Sequence, residues 1–172
     1  MEYIDLYDEF RNPLDQRVSR DEVRKQPNYF LIVHVWIRNS AGEYLIQKRS
    51  KDSDFIPYMW ATTMGVVEAN QTTWETAIKE VKEELGLTYE KEDLKIIARY
   101  KTNSTYANHF TDVFVIEDDV DLANVILQKS ELSEVKYVGK KRLYDMIDEE
   151  IFWDYKKMLH VDEYFIDLEK SE

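Results

Sequence analysis

An α/β or α+β domain is the fold class this sequence predicts, on three observations. The chain has 172 residues, 44% hydrophobic and 13% aromatic, enough for one core and too apolar for a disordered segment. Several short runs are rich in β-branched and aromatic residues, while one stretch carries apolar residues at helical spacing. With only 4 Gly and 3 Pro, and no Ser/Gly linker or repeat, nothing marks a boundary between two domains.

Taken in order, Tyr3 to Tyr7 alternates Ile4 and Leu6 with polar or amphipathic neighbours and runs into Asn12-Pro13, which predicts an edge strand or hairpin. Tyr29 to Ile37 (YFLIVHVWI) predicts a buried strand. It ends at Asn39-Ser40-Ala41-Gly42 and pairs with Glu43 to Arg49 as a hairpin. Beyond a loop containing Pro57, Met59 to Val67 predicts another strand. Thr72-Thr73-Trp74-Glu75 matches the capping box, in which a Thr hydroxyl and a Glu carboxylate satisfy orphan amides. Trp74, Ala77, Ile78, Val81 and Leu85 then recur in steps of three and four, and Gly86 is placed for a left-handed stop, so a helix is expected over Thr73 to Leu85. Strands follow at Leu94 to Tyr100, Asp112 to Glu117 and Val135 to Val138. A helical region is expected from about Lys140 to Leu159, and a charged end at Glu169 to Glu172. The expected division is an N-terminal extension over 1–28, the main domain over 29–162 and a charged tail over 163–172.

Composition removes several classes of function. Lys and Arg number 23 against 35 Asp and Glu, a net charge of −12, which repels nucleic-acid backbones and anionic membranes. No cysteine is present, so disulfides, thiolate zinc sites and Cys nucleophiles are excluded. The opening residues are acidic with no apolar stretch, and no segment approaches the ~20 apolar residues of a membrane span, so a soluble cytoplasmic protein is expected. His34 sits in an apolar strand and reads as a hydrogen-bonded core or edge residue; His109 reads as a surface-loop residue, and His160 follows the last amphipathic stretch. No two histidines have zinc-binding spacing, and no Ser-His-Asp pattern is recognisable. Tyr58 and Trp60 are weak candidates for stacking on a nucleobase.

One helix breaks local rules. Glu80, Glu83 and Glu84 lie at i, i+3 and i+4, within an arc of about 100°. Like charges at that spacing, near the negative end of the helix dipole, cost about 0.3–1 kcal/mol each. Lys79 and Lys82 flank them, so one reading is a solvated face of mixed charge. The other is a cradle for a hard divalent cation, since Mg²⁺ takes carboxylate oxygens, waters and substrate phosphates.

The stretch Gly65-Val66-Val67-Glu68-Ala69-Asn70-Gln71, seven residues, then Lys79-Glu80-Val81-Lys82-Glu83-Glu84-Leu85-Gly86-Leu87 resembles the Nudix box, G-x5-E-x7-R-E-U-x-E-E-x-G-U with U aliphatic. Gly65, Glu80, Val81, Glu83, Glu84, Gly86 and Leu87 match; Gln71 replaces the first Glu and Lys79 replaces the Arg. EYIDLYDE, HVWI at His34 to Ile37, QKRS at Gln47 to Ser50, Trp60 and ELSEVKYV at Glu131 to Val138 are similar to the branch near type I isopentenyl diphosphate isomerase. That isomerase needs a Cys and a metal-binding His near the start of the box. Here Met64 and Val66 flank Gly65, so the isomerase chemistry is excluded.

The resemblance implies the Nudix fold, a mixed sheet between helices, and a hydrolase of diphosphate linkages. It implies Mg²⁺ or Mn²⁺ held by Glu80, Glu83 and Glu84, with Glu83 and Glu84 also catalytic. A general base from a later strand or loop is expected, with Glu131 ranked slightly above Glu134 and a surface role for either equally open. Arg49, at a strand end near the expected mouth, is either a phosphate contact or a surface charge. Gln71 lacks a carboxylate and Lys79 lacks the planar fork of Arg, which weakens the expected hydrolysis; Glu68 is a substitute ligand to test. The implied substrate is a small-molecule diphosphate, with a nucleoside diphosphate derivative the most plausible form. The alternatives are a Nudix-fold nucleotide-binding or protein-interaction module, and a structural protein whose acidic helix faces solvent. A homodimer is left open.

Overall fold

The computed structural model describes residues 2–53 and 55–170. Its spine is one strand. β1 (Tyr3–Tyr7) and β2 (Pro13–Ser19) form the N-terminal hairpin expected from Ile4, Leu6 and Asn12-Pro13. β3 (Tyr29–Arg38), almost wholly buried, pairs in parallel along its whole length with β8 (Asn108–Glu117), and β7 (Leu94–Asn103) continues the sheet antiparallel to β8. The other edge of β3 is shared. Tyr29 meets Tyr7 of β1, residues 32–35 meet β6 (Thr63–Val66), and Ile37 and Arg38 meet β4 (Tyr44–Arg49). β4 then leaves β3 to pair with β5 (Trp60–Ala61) and β9 (Leu132–Val138). The sheet is therefore mixed, as expected for the α+β class.

Side chains alternate across a strand, and the layers follow from this. Leu31, Val33, Val35 and Ile37 of β3 pack with Ala77, Val81 and Leu85 of α1 (Thr73–Leu85) on one face. Trp36 packs on the other face with residues of α2 (Lys140–Asp148), α3 (Tyr155–Leu159) and α4 (Tyr164–Glu169). Ile4, Leu6, Val23 and Phe30 make a smaller core beneath the hairpin. Arg11 also pins that hairpin to the sheet, donating to both carboxylate oxygens of buried Asp112 at 2.6 and 2.7 Å.

α1 matches its expected bounds because its caps are local. Thr72 and Glu75 form the reciprocal capping box, and Gly86 stops the helix at φ 71°. Elements that depend on distant partners came out differently. The strand expected over 59–67 breaks at Thr62, whose amide donates to the Tyr155 hydroxyl at 2.9 Å. The expected helix over 140–159 is interrupted at 149–154. There the chain turns to β5, with Trp60 N donating to Ile151 O at 2.9 Å and Trp153 N to Trp60 O at 2.8 Å. The charged tail expected over 163–172 is corrected: Tyr164–Glu169 is helix α4, and its Tyr164, Phe165 and Leu168 are buried. Their spacing puts one apolar stripe on the core; of this stretch, 171–172 lie outside the described residues. His109 is also corrected, since it lies on β8 and is buried rather than in a surface loop.

Candidate functional site

The site forms where α1 crosses the ends of β4 and β6. Gly65 of β6 lies against the Glu80 side chain: a Cβ there would come within 2.5 Å of Glu80 Cδ, so only glycine lets the carboxylate lie over the strand. One turn further on, Glu84 is buried and fully engaged. Its two oxygens accept from Gln47 Nε2 at 2.6 Å and Arg49 Nη1 at 2.9 Å. Thr63 Oγ1 donates to Gln47 Oε1 at 3.1 Å, fixing the amide so that its NH₂ faces Glu84. Arg49 reaches on. Its Nη2 donates to Glu131 at 2.7 Å and to Ser53 Oγ at 2.8 Å, and its Nε to the same hydroxyl at 3.1 Å.

The electrostatics follow from burial. Glu80 is pushed up to about 8, first by burial and then by repulsion from Glu84, with Lys79 opposing. Glu84 is pushed up to about 7 by burial, against the pull of Gln47 and Arg49. Burial thus resists ionisation at both carboxyls, and repulsion adds to it from Glu84 at Glu80 and from Glu131 at Glu84. Glu83 points to solvent on the same helix. Among the described residues, no group of three His, Asp or Glu side chains is gathered to hold a metal.

The structure thus unites Glu84, Arg49 and Glu131, which the sequence suggests separately. Gln47, Ser53 and Thr63 were missed. Gln47 had a signal, since it stands two residues before Arg49 and shares its face of the strand. Arg49 is not a surface charge, because it is buried and donates to both Glu84 and Glu131. Glu134 is exposed on β9 and outside this network. Lys79 pairs with Glu68, which ties the substitute ligand to the substitute cation. Gln71 turns to the start of α1, where its Oε1 accepts from Thr76 Oγ1 at 3.0 Å. Gly86 is held by Ile126, whose Cβ would lie 2.8 Å from an added Cβ.

The remaining candidates lie elsewhere. Trp60 is buried with the Lys136 ammonium 4.0 Å from its ring centre, so it does not offer a face to a base, whereas Tyr58 is exposed. His34 is a core residue as expected, with Nδ1 3.0 Å from the Tyr164 hydroxyl, and burial pushes it down to about 3. Trp36 Nε1 donates to that hydroxyl, whose own proton is then free for His34 Nδ1. The remaining His34 nitrogen, Nε2, has no hydrogen-bond acceptor, and the ring stands edge-on to Tyr155. His160 caps α3 in the left-handed conformation, φ 56°. No helix among the described residues is long and apolar enough to cross a membrane.

A mixed sheet between helical layers, with a glutamate-bearing helix laid over a glycine strand, defines a class of α+β domain. The sequence model of the NUDIX domain matches residues 28–160, and the chain belongs to the Nudix family. The chain is 35% identical over 144 residues to the uncharacterised Nudix hydrolase lin0387 of Listeria innocua serovar 6a, covering 83% of each chain. Its fold is similar to that of DR0079 from Deinococcus radiodurans, with a TM-score of 0.73 at 20% identity over 92% of this chain and 98% of that one. It is also similar to a bifunctional NMN adenylyltransferase/ADP ribose pyrophosphatase of Francisella tularensis, in complex with AMP and a Mn ion. There the TM-score is 0.60 at 18% identity, over 85% of this chain and 43% of that one.

Proposed function

We propose that this protein is a divalent-metal-dependent pyrophosphohydrolase that cleaves a diphosphate linkage in a small molecule, a nucleoside diphosphate derivative. The observation that carries this reading is the Glu80 side chain laid against Gly65, which only glycine allows, with the buried Glu84 one turn further along the same helix. Burial and the neighbouring Glu84 resist ionisation of Glu80, a cost that a bound cation would offset. A bound Mg²⁺ or Mn²⁺ would neutralise phosphate charge and lower the pKa of a water for in-line attack on phosphorus. Glu80 and Glu84 would hold it, with Glu83 available from the solvent side of the helix. Glu131, whose side chain is 34% exposed at the edge of the network, would be the group that accepts a proton from water. The Francisella fold neighbour, described as an ADP ribose pyrophosphatase with AMP and a Mn ion, supports starting from nucleoside diphosphates.

The test is nucleotide or phosphate release from a panel of diphosphate compounds with Mg²⁺ or Mn²⁺, comparing wild type, Glu83→Gln and Gln71→Glu. Turnover that requires metal and is lost in Glu83→Gln is the expected result. Full turnover in that variant would remove the assignment of Glu83. A second reading, a nucleotide-binding module with little hydrolysis, is favoured by Gln71 and Glu84 both being engaged inside the protein. It predicts nucleotide-induced thermal stabilisation without product, and activity that appears only in Gln71→Glu.

A further inference from the structure

Arg49 stands where the proposed function wants a metal, and the role inferred for it rests on that function. Arg49 is 7% exposed, and its guanidinium lies between Glu84 and Glu131, with both Nη atoms donating to carboxylates. Both Glu84 oxygens are taken, one by Gln47 and one by Arg49. Gln47 is neutral and anchored by Thr63. Arg49 is the charged partner, and a divalent cation beside it would be repelled in a dry site where Coulomb forces are weakly screened. The guanidinium is kept in place by Ser53, whose hydroxyl accepts from both Nε and Nη2. Ser53 belongs to the segment joining β4 and β5, where Ile56 at φ 44° and Tyr58 at φ 66° hold a backbone conformation that side-chain-bearing residues rarely adopt. Arg49 is therefore held by a strained connection rather than by the rigid sheet alone.

We propose that Arg49 is a built-in counter-cation of the metal-free site, bound to Glu84 in competition with the divalent ion, so that metal binding displaces it. Arg49 is then a positioning residue that sets metal affinity, and the loop carrying Ser53 sets how firmly Arg49 holds on. The sign of the effect separates this from a purely structural role. A structural Arg49 would keep Glu84 in shape, and its loss would weaken metal binding; a competing Arg49 does the opposite.

The experiment is Mn²⁺ binding, read from the electron paramagnetic resonance signal of the free ion, on the full chain at about pH 8.5, where glutamates are ordinarily ionised. Arg49→Met is expected to bind Mn²⁺ roughly tenfold more tightly than wild type, and Ser53→Ala roughly threefold. Ser53→Ala keeps both charges and serves as the test if Arg49→Met does not fold. Unchanged or weaker binding in the folded variants overturns the proposal. Glu80→Gln is measured alongside. Wild-type binding that Glu80→Gln does not diminish would overturn the metal site itself, and this inference with it. Glu80-dependent binding without tightening in the Arg49 and Ser53 variants would overturn this inference alone.

Discussion

The glutamates of α1 share a motif but not an environment, and substitutions should separate them. Glu83 faces solvent, so Glu83→Gln is expected to leave Tm within about 1 °C while reducing metal-dependent turnover. Glu80 has a folded pKa above its unfolded value, so its contribution to stability is complete below about 4.5 and is lost as pH rises through about 8. Metal-free wild type should therefore lose stability relative to Glu80→Gln between pH 5 and 8.5, and thermal melts of the two across that range check it. A constant difference would show that Glu80 ionises freely. Glu84→Gln should behave otherwise, because it deprives buried Arg49 of one carboxylate partner and costs about 1–3 kcal/mol in urea denaturation. Gly65→Ala drives a Cβ into the Glu80 side chain, whose far end can move, so metal affinity should fall more than stability. The conformation and spacing of these residues were legible in the box pattern. Their burial was not, because identical glutamates three or four positions apart differ only in what the sheet brings against them.

At the scale of elements, accuracy followed the range of the interactions that define each one. α1 was legible to the residue, since a capping box and a left-handed glycine act within one turn of chain. The break at Thr62 and the interruption after α2 answer to Tyr155 and Trp60, which are remote in sequence or reached only after folding. α4 reads as part of a charged tail because Glu169 to Glu172 end the chain in charge, while Tyr164, Phe165 and Leu168 just before them decide its packing. The N-terminal hairpin offers a test of long-range anchoring. Arg11→Met strands the buried Asp112 carboxylate, which keeps Thr73 at 2.8 Å and Arg99 only at 3.6 Å. A loss of about 2–4 kcal/mol is expected, read as a shift in the urea midpoint. A loss under about 0.5 kcal/mol would mean that the hairpin is held by Ile4, Leu6 and Phe30 alone.

For the whole molecule, net charge and site act together. A chain of charge −12 with two carboxyls that resist ionising should gain stability from divalent cations beyond what monovalent salt provides. Mn²⁺ is expected to raise the Tm of wild type and not that of Glu80→Gln at equal ionic strength, as differential scanning fluorimetry will show. By itself the sequence determined the family, the mixed architecture, the bounds of α1 and the spacing of the three glutamates. Each of these is written in spacing along one chain, where periodicity and caps act locally. Only the tertiary structure decided that Gln47, Arg49, Ser53, Glu84 and Glu131 form one network, that Lys79 answers Glu68, and that the apparent tail is core. Those outcomes depend on β4 leaving β3 to meet α1 and on which side chains water then abandons, and burial is a property of the packed whole.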